Sequence, residues 1–266
     1  LFLFLILAAL CFSATTVTVV SPQAGVVGSG DILDLGTMGP GQTVSVLISR
    51  TVTSGGIHGN GGLMDMATVS DLPPGWNAQA SKLYADPLQV TVTADPDAAP
   101  GNYTFHITVI DENNGEGLGN VTLTARVHVT WDVMDFGVSP TSITTGPGQP
   151  AQFMITVTNK GSASDVFDVS AIGSQKWDFK KPVFVPAMSS RTIRYEVVGN
   201  EEMKYTPTIK VVSLASGNIA AEKNVTIIVH SGLFGDYDAT NHGTLLFPIF
   251  EAPIYALAGL LSNFLG

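Results

Sequence analysis

Tyr103-Thr104-Phe105-His106-Ile107-Thr108-Val109, followed by Val121-Thr122-Leu123-Thr124-Ala125-Arg126-Val127-His128-Val129, decides the fold. In both runs apolar and polar residues alternate with a period of two. That period places one face of an extended chain on a core and the other, rich in Thr, in water. The intervening Asn114-Gly115 reads as a type I′ hairpin turn, because both central positions of that turn need positive φ.

Outward from this pair the same period recurs at Leu88 to Thr93, Phe153 to Thr158, Ile193 to Val197 and Thr208 to Leu214. Turn clusters separate the runs: Gly39-Pro40-Gly41, Pro73-Pro74-Gly75, Asp95-Pro96-Asp97, Pro100-Gly101 and Gly146-Pro147-Gly148. No stretch before residue 244 carries a helical stripe of three turns. Many short strands between Gly/Pro turns predict an all-β chain built as a sandwich. The landmarks also repeat. Gly39-Pro40-Gly41-Gln42 returns as Gly146-Pro147-Gly148-Gln149, Trp76 as Trp177, Tyr103-Thr104 as Tyr205-Thr206, and Asn120-Val121-Thr122 as Asn224-Val225-Thr226. The offsets lie between 101 and 107 residues. Two tandem immunoglobulin-like sandwiches are expected, over 14–131 and 132–230, joined at Thr130-Trp131-Asp132 with almost no linker.

The second unit runs Pro147-Gly148-Gln149, Phe153 to Gly161, Asp165-Val166-Phe167-Asp168-Val169, Trp177, Val185-Pro186 and Arg194 to Val197. It resembles the immunoglobulin-like NPCBM-associated (alpha-galactosidase-associated) domain, related to CARDB-type adhesion modules. The resemblance covers about 95 residues there and the first unit more loosely, since a Gly-rich insert, Ser54 to Gly62, replaces the Asn-Lys-Gly turn. It implies a non-catalytic module of archaeal or bacterial surface proteins, and it brings no catalytic residue with it.

Both ends are apolar. Leu1 to Phe12 followed by Cys11-Phe12-Ser13-Ala14 reads as the remnant of a secretory signal peptide over 1–13, cleaved after Ser13. Residues 231–243 read as a linker and 244–266 as an apolar helix. Leu245 to Leu265 is long enough to cross a bilayer, with Leu245, Phe250, Ile254, Leu257 and Leu261 on its apolar circumference and Glu251, Tyr255 and Ser262 on a narrow polar stripe. A membrane anchor, an interfacial or partner-binding helix, and a helix packed on the sandwiches themselves all remain open here.

Of the 266 residues, 13% are charged, about half the usual globular share of roughly 25%, and the net charge is −10. A net negative chain lacks the basic face that nucleic acid requires, so no nucleic-acid partner is expected. The charge is uneven. Residues 14–131 hold 3 basic and 10 acidic residues, and 132–230 hold 9 of each. Lys176, Lys180, Lys181, Arg191 and Arg194 gather around Trp177, a set suited to an anionic surface, a glycan or an acidic copy of the same chain. Trp76 and Trp177 read first as intersheet core residues and second as platforms for stacking a sugar.

Asn102, Asn120 and Asn224 each open an Asn-x-Thr sequon and are candidate glycosylation sites. Asp111 to Glu116 clusters oxygens of the kind calcium takes, but its spacing fits a turn better. The Gly-rich insert lacks the Gly-Lys-Ser/Thr of a phosphate loop and reads as a flexible connection. His106 and His128 sit on strands that pair, so their rings are candidates to meet. No metal, cofactor or catalytic group is nominated, and the chain is not expected to be an enzyme. The expected role is a non-catalytic extracellular or cell-surface module for adhesion, envelope structure or display of a glycan or protein partner, tethered to the membrane through the C-terminal helix. The alternatives are a carbohydrate-binding accessory region of a larger glycan-active enzyme, or a self-associating filament or surface-layer subunit.

Overall fold

The computed structural model of the chain describes residues 14–173 and 179–231. These residues are all β, arranged as two immunoglobulin-like sandwiches. The signal-peptide remnant (1–13), most of the linker and the C-terminal apolar helix lie outside the described residues.

The first sandwich comprises β1 (Thr16–Ser21), β2 (Gly25–Gly28), β3 (Ile32–Met38), β4 (Thr43–Ile48), β5 (Thr51–Val52), β6 (Gly62–Leu63), β7 (Met66–Ser70), β8 (Asn77–Gln79), β9 (Leu88–Thr93), β10 (Gly101–Ile110) and β11 (Asn120–Val129). The second comprises β12 (Met134–Ser139), β13 (Ser142–Thr145), β14 (Pro150–Asn159), β15 (Asp165–Ile172), β16 (Phe179–Val185), β17 (Ser189–Val198), β18 (Lys204–Tyr205), β19 (Thr208–Ser213), β20 (Ala220–Asn224) and β21 (Thr226–Val229). One sheet of the first runs β2-β1-β4-β9-β8 and faces β3-β11-β10-β7. In the second, β12-β14-β17 faces β16-β15-β19-β20, and β13-β21-β18 continues the second layer.

The alternation that nominated the strands places their side chains as expected. Phe105, Ile107 and Val109 are buried, as are Val121, Leu123, Ala125, Val127 and Val129 on the partner strand. Between the layers of the second sandwich Phe153, Ile155, Phe167, Val169, Ile209 and Val211 do the same. Burying an aliphatic or aromatic side chain of this size contributes about 1.5–3 kcal/mol, so the alternation is also the main source of stability.

Tyr103 and Tyr205 share one role. Each hydroxyl donates to the carbonyl oxygen four residues back, Tyr103 Oη to Ala99 O at 2.9 Å and Tyr205 Oη to Glu201 O at 3.3 Å. This is the tyrosine corner that ties the chain entering a strand to its preceding loop in immunoglobulin-like folds. Tyr103→Phe keeps the ring against Trp76 and removes only this bond. It is expected to lower stability by about 1 kcal/mol, read as a fall in the urea midpoint with an unchanged slope.

The corners also give the register of the repeat, and three expectations change. Asn224 pairs with Thr208, whereas Asn120 pairs with Ile110. At the tyrosine offset of 102, Thr208 corresponds to His106, so the two sequons are not equivalent positions. Asn114-Gly115 is not a two-residue hairpin turn either. The strands stop at Ile110 and resume at Asn120, and only Asn114 of the pair has positive φ (46°). Buried Asp111 and Leu118 hold the longer loop down. The Gly-rich insert is a built loop, pinned by Gly61 N–H to Gly55 O (3.0 Å) and Ile57 N–H to Glu116 O (2.9 Å). At Gly55 an added Cβ would lie 2.2 Å from Thr15 Oγ1 and at Gly61 2.0 Å from Val52 O, so these glycines serve close packing.

One repeat signal escaped the sequence reading. Val20-Ser21-Pro22 returns as Val138-Ser139-Pro140 at offset 118, against 107 for the Gly-Pro-Gly-Gln turn. The first unit therefore carries eleven extra residues between the two landmarks. They include β2, which has no counterpart between β12 and β13.

Candidate functional site

The most elaborate polar arrangement lies where the two sandwiches meet, and it is built from the first Gly-Pro-Gly-Gln turn. Gln42 is 1% exposed. Its Oε1 accepts Gly39 N–H at 2.7 Å, which closes the turn, and its Nε2 donates to Asp165 Oδ2 at 2.7 Å across the junction. Asp165, 6% exposed, also accepts Ser213 Oγ–H on Oδ2 and its neighbour's Val166 N–H on Oδ1, each at 2.7 Å. Ser213 Oγ in turn accepts Ala215 N–H at 3.0 Å. A carboxylate this buried needs several donors, and here one comes from the other sandwich.

Around this centre the contacts are direct. Ser162 Oγ lies 2.6 Å from Leu35 O and 2.8 Å from Thr37 O, and Ser162 N–H donates to Thr37 O at 2.7 Å. Ser216 Oγ–H donates to Pro96 O at 2.9 Å, and Lys160 Nζ meets Asp132 Oδ1 at 2.5 Å. Ala163, from the second sandwich, is buried in the core cluster of the first. A Cβ on Gly39 would stand 2.5 Å from Ile219 Cδ1, and one on Gly41 2.1 Å from Ala215 O. Gly41 is therefore where backbone meets backbone across the junction, and Gly39 is where backbone meets side chains of the second sandwich. Sequence reasoning saw this motif only as a turn. The signal it passed over was the Gln, a large polar residue that follows the turn in both copies.

The nominated ligand-contact residues fare differently. Trp76 is 9% exposed and packs at ring-centroid distances of 5.1 Å from Tyr103 and 6.2 Å from Phe105. It is a core residue, and the reading as a sugar platform is withdrawn for it. Trp177 and Lys176 lie outside the described residues. Lys180 and Lys181 stand on β16, whereas Arg191 and Arg194 stand on β17, the edge of the opposite sheet. The basic residues are thus divided between two layers rather than gathered in one patch. Lys180 pairs with Asp168 at 2.8 Å, and Arg194 pairs with Glu196 beside a shallow open depression.

The three sequon residues are exposed. Asn102 Oδ1 contacts His128 Nδ1 at 2.9 Å, and Asn224 Oδ1 accepts Thr208 Oγ1–H at 2.8 Å. His106 and His128 do not meet. His106 stands opposite Thr124 and pairs with Asp71 at 2.9 Å, while His128 stands opposite Asn102. The oxygens of the 111–119 loop serve the loop. Asn114 Oδ1 accepts Gly119 N–H and Glu116 Oε2 accepts Leu63 N–H. Among the described residues no group of three or more His, Cys, Asp or Glu is placed to hold a metal ion. No helix among them is long and apolar enough to cross a membrane.

One surface carboxylate is perturbed. Arg126 Nη2–H donates to Asp34 Oδ2 at 2.8 Å, and Gly36 N–H donates to Oδ1. The Arg126 bond foremost, then the Gly36 bond, holds the Asp34 carboxyl below its ordinary value of 3.8. A depressed folded-state pKa stabilises the fold above the unfolded-state value and ceases to do so as pH falls through the folded one. Asp34→Asn is therefore expected to cost a few tenths of a kcal/mol, at most about 1, at neutral pH, since the pair is half-exposed. Wild type and variant converge as pH falls through the depressed folded-state value of Asp34, checked by urea unfolding at neutral and acid pH.

No family model and no curated protein matches the chain. Among solved structures it is similar to a chimeric titin Z1Z2 carrying an exogenous decorin peptide, at 12% identity and TM-score 0.37, over 82% of this chain and 99% of that one. It is also similar to the fibronectin(III)-like modules of Clostridium thermocellum CbhA (12%, 0.27, 80% and 93%) and to the D00-D0 domain of intimin (16%, 0.26, 80% and 99%).

Proposed function

We propose that this chain is a non-catalytic, exported module of the cell surface, a two-sandwich spacer that holds a partner at a set distance and orientation. The observation that supports this reading best is the joint. A flexible tether needs only a linker, whereas here Gln42, Asp165 and Ser213 form a buried bonded centre that fixes one sandwich against the next. Inter-domain motion is the default unless the interface is substantial, so a buried polar joint of this kind fits a part that works by being stiff. Membership of the NPCBM-associated type, attachment through residues 245–265 and an extracellular location belong to the same proposal.

Cell fractionation with surface proteolysis tests it. The full chain is expected with the membranes and open to protease from outside. A chain lacking 244–266 is expected in the soluble exported fraction. Recovery of both forms inside the cell, or of both as soluble proteins, overturns the tethered-spacer reading.

A further inference from the structure

Asp111 follows β10, where the 111–119 loop begins, and is 8% exposed. Its Oδ2 is shielded from solvent and has no hydrogen-bond partner among the described residues. An orphaned oxygen of this kind marks the place of a water or an ion. A second buried carboxylate is held against it. Asp65, 6% exposed, brackets Asp111: its N–H donates to the carbonyl before, Ile110 O at 2.8 Å, and its Oδ2 accepts the amide after, Glu112 N–H at 3.0 Å. Asp65 has a cation of its own, Arg50 Nη2 at 3.6 Å from Oδ1. Arg50 is fixed on that side, with Nε–H donating to Met64 O at 2.9 Å and its guanidinium 5.3 Å from the centre of the Tyr84 ring. One guanidinium therefore serves two buried carboxylates, and Glu112 and Glu116 in the adjoining loop add further negative charge.

The second sandwich gives the contrast. At the tyrosine offset of 102, Asp111 corresponds to Ser213. Ser213 donates its hydroxyl to buried Asp165. There a hydroxyl lies beside a carboxylate, whereas in the first sandwich a carboxylate lies beside a carboxylate. Like charges this close disfavour each other, and burial adds to the cost. A cation between them does for this pair what the hydroxyl proton does for the other.

We propose that Asp111 and Asp65 hold one calcium ion, with the orphaned Asp111 Oδ2 as its anchoring ligand. Every donor here is an oxygen, which favours a hard cation over zinc. Calcium accepts an irregular shell completed by loop carbonyls and water, whereas magnesium demands a near-ideal octahedron. Two carboxylates make a weak site, so the expected affinity is that of extracellular modules, about 10⁻⁴–10⁻³ M. The bound ion ties the 111–119 loop to the chain entering β7 and stabilises the first sandwich. This inference is independent of membrane attachment and of the stiffness of the joint.

Calorimetric titration of the chelator-treated full chain with calcium chloride, in a non-ionic detergent, gives the first readout. Urea unfolding with calcium and with chelator gives the second. Wild type is expected to bind calcium in the stated range, and its urea midpoint is expected to rise with calcium. Asp111→Ser installs the hydroxyl of the second sandwich. It is expected to weaken binding at least tenfold and to abolish the calcium-dependent rise, while its midpoint in chelator shows that it folds. Asp111→Asn keeps the shape of the side chain and is expected to give the same two losses, so the test stands even where the serine variant does not fold. A wild type indifferent to calcium in both readouts, or a calcium response that survives both substitutions unchanged, overturns the proposal.

Discussion

Asp165→Ala is expected to destabilise the protein by about 3–5 kcal/mol, the largest effect of any single polar substitution among the described residues. The carboxylate accepts from Gln42, Ser213 and Val166, all at 2.7 Å. Hydrogen bonds to a charged group contribute about 1.5–3 kcal/mol each, and donors left buried without a partner add their own penalty. Alanine removes the acceptor and strands the Gln42 carboxamide and the Ser213 hydroxyl together. Asp165→Asn keeps one oxygen for Gln42 and Ser213, which share Oδ2, but turns a donor toward Val166 N–H on the other side, so a loss of about 1–3 kcal/mol is expected. Because Gln42 belongs to the first sandwich, a double-mutant cycle isolates the contribution made across the joint. Gln42→Ala and Asp165→Ala together are expected to cost about 1–2 kcal/mol less than the sum of the two. Urea unfolding of the four proteins measures this. An additive result would mean that the two side chains are not coupled.

Gly41→Ala against Gly148→Ala gives the second large effect, with its own control. The two glycines hold equivalent positions in the repeated turn and nearly equal positive φ, 70° and 77°. Alanine in that region costs about 1–2 kcal/mol at either site. The surroundings differ. A Cβ at Gly148 meets nothing within 4 Å among the described residues, but at Gly41 it would stand 2.1 Å from the Ala215 carbonyl oxygen, which is backbone and cannot rotate away. Gly148→Ala is expected to lose only the conformational cost. Gly41→Ala must also part the sandwiches, and an additional loss of at least about 2 kcal/mol is expected, in the range of overpacked substitutions. Equal losses would show that the junction is loose enough to accept a methyl group.

The strands were legible because their signal is local. A period of two over six to nine residues states which side chains face a core whatever the partner strand is. Thus Leu88 to Thr93 and Val121 to Val129 were readable before any pairing was known, and so were the tandem units. The loops were not legible in the same way. Asn114-Gly115 has the dipeptide of a tight turn, yet buried Asp111 and Leu118 impose a longer loop. Tertiary anchoring outweighs turn preference there. Ser54 to Gly62 looks flexible by composition, whereas its glycines are required by the approach of Thr15 and Val52 from distant parts of the chain. The joint was hidden for a related reason. Gln42, Asp165 and Ser213 are separated by more than 45 residues from one another, and nothing local marks a glutamine as the residue that crosses a junction. The recurrence of Gln after each Gly-Pro-Gly reports the closing of its own turn, Gly39 N–H on Gln42 and Gly146 N–H on Gln149, and only the first copy also reaches across the junction.

The stiffness of the joint is the central claim, and a distance distribution tests it most directly. Spin labels at Gln89→Cys on the first sandwich and Gln152→Cys on the second, in a Cys11→Ser background, place one exposed probe on each body. Pulsed dipolar spectroscopy is expected to give a single narrow distribution in the otherwise native protein and a broad one when Asp165→Ala is added. A broad distribution in the native chain, unchanged by Asp165→Ala, would contradict the account of the chain as a rigid two-sandwich spacer.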